Sequence, residues 1–156
     1  LTVDEESDVP LEERVSVANQ LYSRNKNYYF LSIHSNAASN KTSGSGSNAT
    51  GFEVWTSVGQ TKSDELATIA AKWYKREFPE FRFRQDMTDG DEDKEKEHQS
   101  ETFYVLRKTR GPAFLVENLF YDNRLEAEFL LSPQGQRRIA RCLFSFIQEI
   151  NRKFRI

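Results

Sequence analysis

The sequence predicts an α/β fold in which one central β-sheet, mostly parallel or mixed, is flanked by helices. Short apolar runs typical of strands alternate along the chain with stretches whose apolar residues recur at helical spacing. The chain has 156 residues, which suits a single domain with a substantial core. Its 12 Phe, 6 Tyr and 2 Trp residues argue against a disordered chain, because such chains are poor in aromatic residues.

The first predicted helix and strand occupy about residues 9–24 and 28–34. Asp8 offers an N-cap to the helix, and Pro10 suits its first turn. The strand runs from Tyr28 to His34 and is almost continuously apolar until its end. This composition predicts a strand that is buried on both faces.

A Ser/Gly/Asn-rich stretch at residues 37–50 predicts a loop before the next two elements. A strand is predicted over Gly51–Ser57, with alternate side chains facing opposite sides of the sheet. An apolar stripe at helical spacing then predicts a helix from about Ser63 to Phe78. Pro79 ends it, because proline cannot continue the hydrogen-bonding pattern.

The second half of the chain predicts two strands followed by two helices. The strands are placed at Phe103–Arg107 and Ala113–Glu117, joined by a turn that contains Gly and Pro. Asn123 suits the start of a short helix, and Ser132 followed by Pro133 predicts the start of the last helix.

Composition excludes several classes of function. The net charge of −2 gives no reason to expect nucleic acid as a partner. No stretch approaches the roughly 20 apolar residues of a membrane span. The single Cys142 excludes an internal disulfide and a cysteine-rich zinc site, and the two histidines, His34 and His98, exclude a histidine-rich site.

An acidic segment at residues 86–101 carries eight Asp or Glu residues and two Lys. Such a charge run predicts a solvated, mobile loop, with His98 solvated inside it. A calcium-binding loop is the alternative interpretation. Its ligand spacing is not met, because Thr88 and Gly90 stand where the second and third ligands belong.

Two predicted strands end in an ionisable residue, His34 in the first half and Glu117 in the second. Ligands of open α/β sheets usually lie at the carboxyl ends of the strands. A carboxylate in an apolar setting is suited to acid–base chemistry near neutral pH, and neutral imidazole is a common metal ligand. Each residue could also be purely structural, so the pattern alone leaves both readings open.

Four segments, in the same order along nearly the whole chain, resemble zinc-dependent N-acetylmuramoyl-L-alanine amidases of the Amidase_3 type. "LSIHSNAA" resembles the family's SIHxNA motif, and "GPAFLVENLFYDN" resembles its PAvLvExgFxxN segment. "GFEVW" is similar to the strand GxEvy, and the opening "LTVDEESDVPLEERVSVAN" is similar to TRxxDxxvxLxxRxxxAN.

The resemblance implies a zinc-dependent hydrolase that cleaves the amide bond between N-acetylmuramic acid and L-alanine in peptidoglycan. His34 would be a zinc ligand, and Glu117 would be the catalytic carboxylate. Asn36, Glu53 and Asn118 lie on the same segments and are expected to line the pocket. Because the substrate is cell wall, a periplasmic, cell-envelope or secreted location is implied.

The resemblance also implies two zinc ligands that this chain does not match. The family's GHGG histidine and the glutamate of its first helix both precede the start of the chain. We therefore expect residues 1–156 to form a single amidase-like catalytic domain that is incomplete at its N-terminus. The alternative is a catalytically silent domain that binds peptidoglycan, and the oligomeric state stays open.

Overall fold

The computed structural model describes residues 8–38, 46–87, 90–94 and 103–155. They form five helices and three strands in the order α1, β1, β2, α2, α3, β3, α4, α5. The helices are α1 (Leu11–Arg24), α2 (Lys62–Glu77), α3 (Tyr104–Lys108), α4 (Arg124–Leu131) and α5 (Pro133–Phe154). The strands are β1 (Phe30–Asn36), β2 (Glu53–Trp55) and β3 (Ala113–Phe120).

The three strands form one mixed sheet in the order β1-β3-β2. β3 lies in the centre, runs parallel to β1 and antiparallel to β2, and is buried along its whole length. Helices cover both faces of the sheet. The predicted fold class, a mixed sheet flanked by helices, is therefore confirmed.

The larger core lies between one face of the sheet and helices α2 and α5. Val54, Phe114 and Val116 from the sheet meet Leu66 of α2 and Phe146 of α5 there. A smaller core fills the opposite face, where α1 and α3 cover the sheet. Its buried residues are Val15, Trp55, Val105, Leu106, Ala113 and Leu115.

Helix starts follow the capping chemistry of the sequence at three places. Thr61 forms a capping box with Asp64 at α2. Asn123 accepts hydrogen bonds from two backbone amides of α4, and Ser132 caps α5 with Pro133 in its first turn. The N-cap predicted at Asp8 is wrong, because α1 starts at Leu11 without a side-chain cap and Asp8 pairs with Arg14 instead.

Two further predictions are corrected by the structure. Phe103–Arg107 is not a strand, because Tyr104–Lys108 forms the short helix α3, whose Val105 and Leu106 are buried against the α1 side of the sheet. β1 is not buried on both faces, because it lies at the edge of the described sheet and Ile33 is 53% exposed.

The acidic segment is partly packed against the fold within the residues that the structure describes, 86–87 and 90–94. Lys94 forms backbone hydrogen bonds with Val54 and Thr56 alongside β2, and Asp93 is only 1% exposed. The prediction of a solvated segment is therefore wrong for Asp93. Residues 88–89 and 95–102, including His98, lie outside the described residues, and the mobility of the segment stays a prediction.

Within the described residues, every helix is too short or too polar to cross a membrane.

Candidate active site

Three ionisable residues lie in one row across the sheet. His34 of β1 is the register partner of Glu117 in β3, and Glu117 is also the partner of Glu53 in β2. Paired residues point to the same face of a sheet, and neighbouring strands are about 4.8 Å apart. The row is the last regular pairing of the β1–β3 ladder before a change of register, and it lies on the face that α1 and α3 cover. β1 and β3 continue to Asn36 and Phe120, so the strand ends predicted at His34 and Glu117 are wrong, but the structure does bring these two residues together.

A β-bulge follows directly after this row. The ladder shifts between His34 and Asn36, so that Asn36 pairs with Phe120. Leu119, which is fully buried, takes a positive φ of 62° in the bulge, a conformation that is unusual for a leucine. Bulges re-aim side chains and often lie beside active sites.

Asn118 locks the bulge to its surroundings. Its Nδ2 donates a hydrogen bond to the backbone oxygen of His34 at 2.9 Å, and its Oδ1 accepts one from the Tyr74 hydroxyl at 2.8 Å. Asn118 is 3% exposed. The amide therefore fixes the end of β1 relative to β3 and to helix α2.

Glu117 is a buried carboxylate with spare hydrogen-bonding capacity. It is 6% exposed, and its buried Oε2 has no hydrogen-bond partner among the described residues. Burial, and secondarily the charge of Glu53, raises the pKa of Glu117 from 4.5 to about 7. At neutral pH this group can therefore both accept and release a proton.

Glu53 is the opposite case, a buried carboxylate whose oxygens are fully engaged. It is 2% exposed. Four side chains donate to it: Arg84 at 2.5 Å, Lys94 at 3.3 Å, Trp55 at 2.9 Å and Asn36 at 2.9 Å. These contacts hold a fixed negative charge beside Glu117, which favours the protonated form of that neighbour.

His34 lies at the surface end of the row. Its Nε2 is 3.0 Å from the Ser32 hydroxyl, on the same side of β1. Partial burial, and secondarily the charge of Arg14 on α1, lowers the pKa of His34. The imidazole is therefore neutral at pH 7, which is the form that binds metal ions.

Residue types suited to a catalytic metal are present, although the set is partial. A catalytic zinc site uses three protein ligands and often a nearby carboxylate base. His34 has an imidazole at the surface, and the buried Oε2 of Glu117 has no hydrogen-bond partner among the described residues. Among the described residues, no group of three metal-binding side chains includes His34.

Sequence reasoning missed the cations that hold Glu53. Arg84 belongs to a short stretch, residues 82–84, whose backbone pairs with Phe52 just before β2. The alternation Phe-Arg-Phe-Arg at 81–84 was the available signal for such an extended stretch. Lys94 gave no signal, because it lies inside a charge run that resembles a solvated loop.

The apolar cavity of about 320 Å³ beside α1 is not part of this site. It is lined by residues that include Leu21, Tyr22, Tyr28 and Pro112. Neither His34 nor Glu117 lines it.

Comparison with known protein families identifies the family of this chain. The family model for N-acetylmuramoyl-L-alanine amidases matches residues 1–149, almost the whole chain. The chain belongs to the N-acetylmuramoyl-L-alanine amidase family. It is an enzyme domain that hydrolyses the amide bond between N-acetylmuramic acid and L-alanine in peptidoglycan. A silent binding domain is not favoured.

Solved structures of amidases share the fold of this chain. The catalytic domain of the amidase CwlV from Bacillus (Paenibacillus) polymyxa var. colistinus is 25% identical, with a TM-score of 0.71 over 95% of this chain and 69% of that one. An amidase from Clostridium difficile 630 is 24% identical, with a TM-score of 0.70 over 95% and 68%. The amidase AmiC2 of Nostoc punctiforme is 24% identical, with a TM-score of 0.69 over 95% of this chain and 69% of that one. No curated protein matches the chain.

Amidases of this family are generally metal-dependent, and their cell-wall substrate indicates action outside the cytoplasm. One structural neighbour, the CwlD amidase of Clostridioides difficile, was solved in complex with the GerS lipoprotein.

Proposed function

We propose that Glu117 is the catalytic acid–base residue of this amidase and that His34 is a ligand of a zinc ion. The observation that carries the proposal is the buried Oε2 of Glu117. It has no hydrogen-bond partner among the described residues, and it belongs to the register partner of His34. A buried polar atom of this kind is costly unless a substrate, a water or an ion uses it.

The remaining zinc ligands would come from outside the described residues. Zinc, when bound, lowers the pKa of a water molecule to about 7 and polarises the scissile carbonyl. Within this chain, ionised Glu117 accepts the proton of the water that attacks the carbonyl carbon of the amide. The C–O bond forms, the C–N bond breaks, and Glu117 returns the proton to the amine of L-alanine. The products are the carboxylate of N-acetylmuramic acid and the free amine of L-alanine.

Glu53 and Asn118 would act by positioning. Glu53 is fixed by four donors, and it adds to the effect of burial in raising the pKa of Glu117 to about 7, which suits a residue that must donate a proton as well as accept one. Asn118 holds the backbone of His34 in place. The side chain of Asn36 donates a hydrogen bond to Glu53, and the two residues would form one wall of the substrate pocket.

Peptidoglycan would be the macromolecular partner, with no role for nucleic acid. The net charge of −2 supports the latter point. A cell-wall substrate supports a periplasmic, cell-envelope or secreted location.

The proposal is tested in the intact protein with purified peptidoglycan, by the release of amino groups. Glu117→Gln should lower kcat at least about 100-fold, because it removes the acid–base group, while elemental analysis finds zinc unchanged. His34→Ala should lose zinc together with activity. Glu128→Gln on the exposed face of α4 is the matched control and should behave as wild type. Normal turnover by Glu117→Gln would remove this residue from the mechanism, and normal zinc content in His34→Ala would remove it from the metal site.

A further inference from the structure

A second cluster of acidic side chains contains none of the three residues His34, Glu53 and Glu117. Asp64 comes from the first turn of α2, and Asp91 and Asp93 come from the acidic segment. One carboxylate oxygen from each residue lies within 4.8 Å of the other two. Asp64 and Asp93 are buried at 7% and 1% exposure, and Asp91 is partly buried.

Asp91 and Asp93 each have a buried oxygen without a hydrogen-bond partner among the described residues. Asp93 uses Oδ2 to accept a hydrogen bond from the Thr56 hydroxyl. Its Oδ1 and the Oδ1 of Asp91 are buried and have no hydrogen-bond partner within the described ranges. None of the ion pairs formed by the described residues reaches Asp91 or Asp93. An unpaired carboxylate that is 99% buried is strongly unfavourable unless it is protonated or meets a cation.

We propose that Asp64, Asp91 and Asp93 bind a divalent cation of the calcium type, at a site separate from the catalytic metal. The donors are all carboxylate oxygens, which hard cations prefer over zinc or copper. Calcium–oxygen distances are about 2.3–2.6 Å, so two ligands on opposite sides of the ion lie about 5 Å apart. The spacing of the three oxygens meets this requirement, and the partial exposure of Asp91 leaves a side on which water completes the coordination.

Protonation is the competing way to relieve the cluster. Burial, and then the neighbouring Asp91 and Asp64, raises the pKa of Asp93 to about 8, while the hydrogen bond from Thr56 lowers it. Without metal the cluster therefore holds a proton at neutral pH. A divalent cation replaces that proton and satisfies all three carboxylates at once.

The cation would join three parts of the fold. Asp64 belongs to α2, and Asp91 and Asp93 precede Lys94. Lys94 pairs with β2 through two backbone hydrogen bonds, Lys94 N to Val54 O at 2.8 Å and Thr56 N to Lys94 O at 3.1 Å. The ammonium of Lys94 contacts Glu53 at 3.3 Å. Binding of the metal ion at the cluster therefore holds the acidic segment in place. It also keeps the side chain of Lys94 in contact with Glu53, beside the active site.

The test uses the intact protein after treatment with a chelator. Calorimetric titration with calcium should show one ion bound at the cluster. At a calcium concentration about 100 times Kd, the melting temperature should rise by about 5–10 °C. Asp93→Asn should lose both effects and, in chelator, should melt near the wild-type temperature, because asparagine has the shape of the protonated aspartic acid that the metal-free cluster holds. Circular dichroism of Asp91→Asn provides the same comparison if Asp93→Asn fails to fold.

Glu92→Gln is the matched control, because it removes an acid from the same segment that pairs with Lys75 rather than with the cluster. It should bind calcium as wild type does. The proposal is overturned if wild type binds neither calcium nor magnesium at millimolar concentration. It is also overturned if Asp93→Asn and Asp91→Asn both retain the calcium ion and the thermal shift. A response to magnesium alone would overturn the calcium preference.

Discussion

Replacing Glu117 by Gln should stabilise the metal-free fold at alkaline pH while it removes activity. Glu117 is 6% exposed, and its pKa is raised from 4.5 to about 7, first by burial and then by Glu53. A rise of this size corresponds to about 3 kcal/mol of unfavourable free energy for the charged form. Glutamine has the shape of the neutral acid and carries none of this cost.

The sign of the pH dependence follows from the two protonation states. Between about pH 4.5 and pH 7 the folded protein keeps a proton on Glu117 that the unfolded chain has released. The contribution of Glu117 to the stability of wild type therefore falls as pH rises through this window and is constant above it. The advantage of Glu117→Gln should be near zero at pH 4.5 and about 2–3 kcal/mol at pH 8.

The assay is urea unfolding followed by circular dichroism at pH 5 and pH 8, with a chelator present so that no metal stabilises the carboxylate. The Glu128→Gln variant, which changes an exposed carboxylate of α4, is the control for the substitution itself. Equal or lower stability of Glu117→Gln at pH 8 would refute the inference that Glu117 is a desolvated carboxylate.

Two other carboxylates give further predictions. Glu53→Gln removes the negative charge beside Glu117, so the acid limb of the kcat–pH profile should move to lower pH by on the order of one unit; a move to higher pH would contradict the electrostatic role of Glu53. Glu126→Ala should destabilise the fold by about 2–5 kcal/mol, because Glu126 accepts from the buried backbone amides of Phe120 at 2.7 Å and Gly51 at 2.8 Å. Urea unfolding measures this effect, and a loss below about 1 kcal/mol would show that water replaces the carboxylate.

The helices show how much local chemistry decides. Apolar stripes and capping residues predicted α2, α4 and α5 close to their observed bounds, because both signals act within a few residues of the chain. The same reasoning was wrong for α3. A short apolar run fits a strand and a helix equally well, because it is too short to show a periodicity. The helical form of α3 depends on the packing of Val105 and Leu106 beside α1.

The acidic segment shows where local reasoning ends. Its composition predicts solvation, yet Asp93 is buried against β2 and meets Asp64 from a distant part of the chain. A calcium-loop motif depends on ligand spacing inside one segment, whereas the third carboxylate of this cluster comes from α2. No pattern within residues 86–101 contains that information.

The sequence by itself determined the α/β alternation, the helix starts at Asn123 and Ser132, the family resemblance and the choice of His34 and Glu117 as candidate residues, because each depends on residues that are close along the chain. Only the tertiary structure decided that these two residues are register partners, that Glu53 is a locked anion beside them, and that three aspartates converge elsewhere. Burial and charge–charge contact arise when distant segments pack, and they set the pKa of Glu117 at a value that no local pattern encodes.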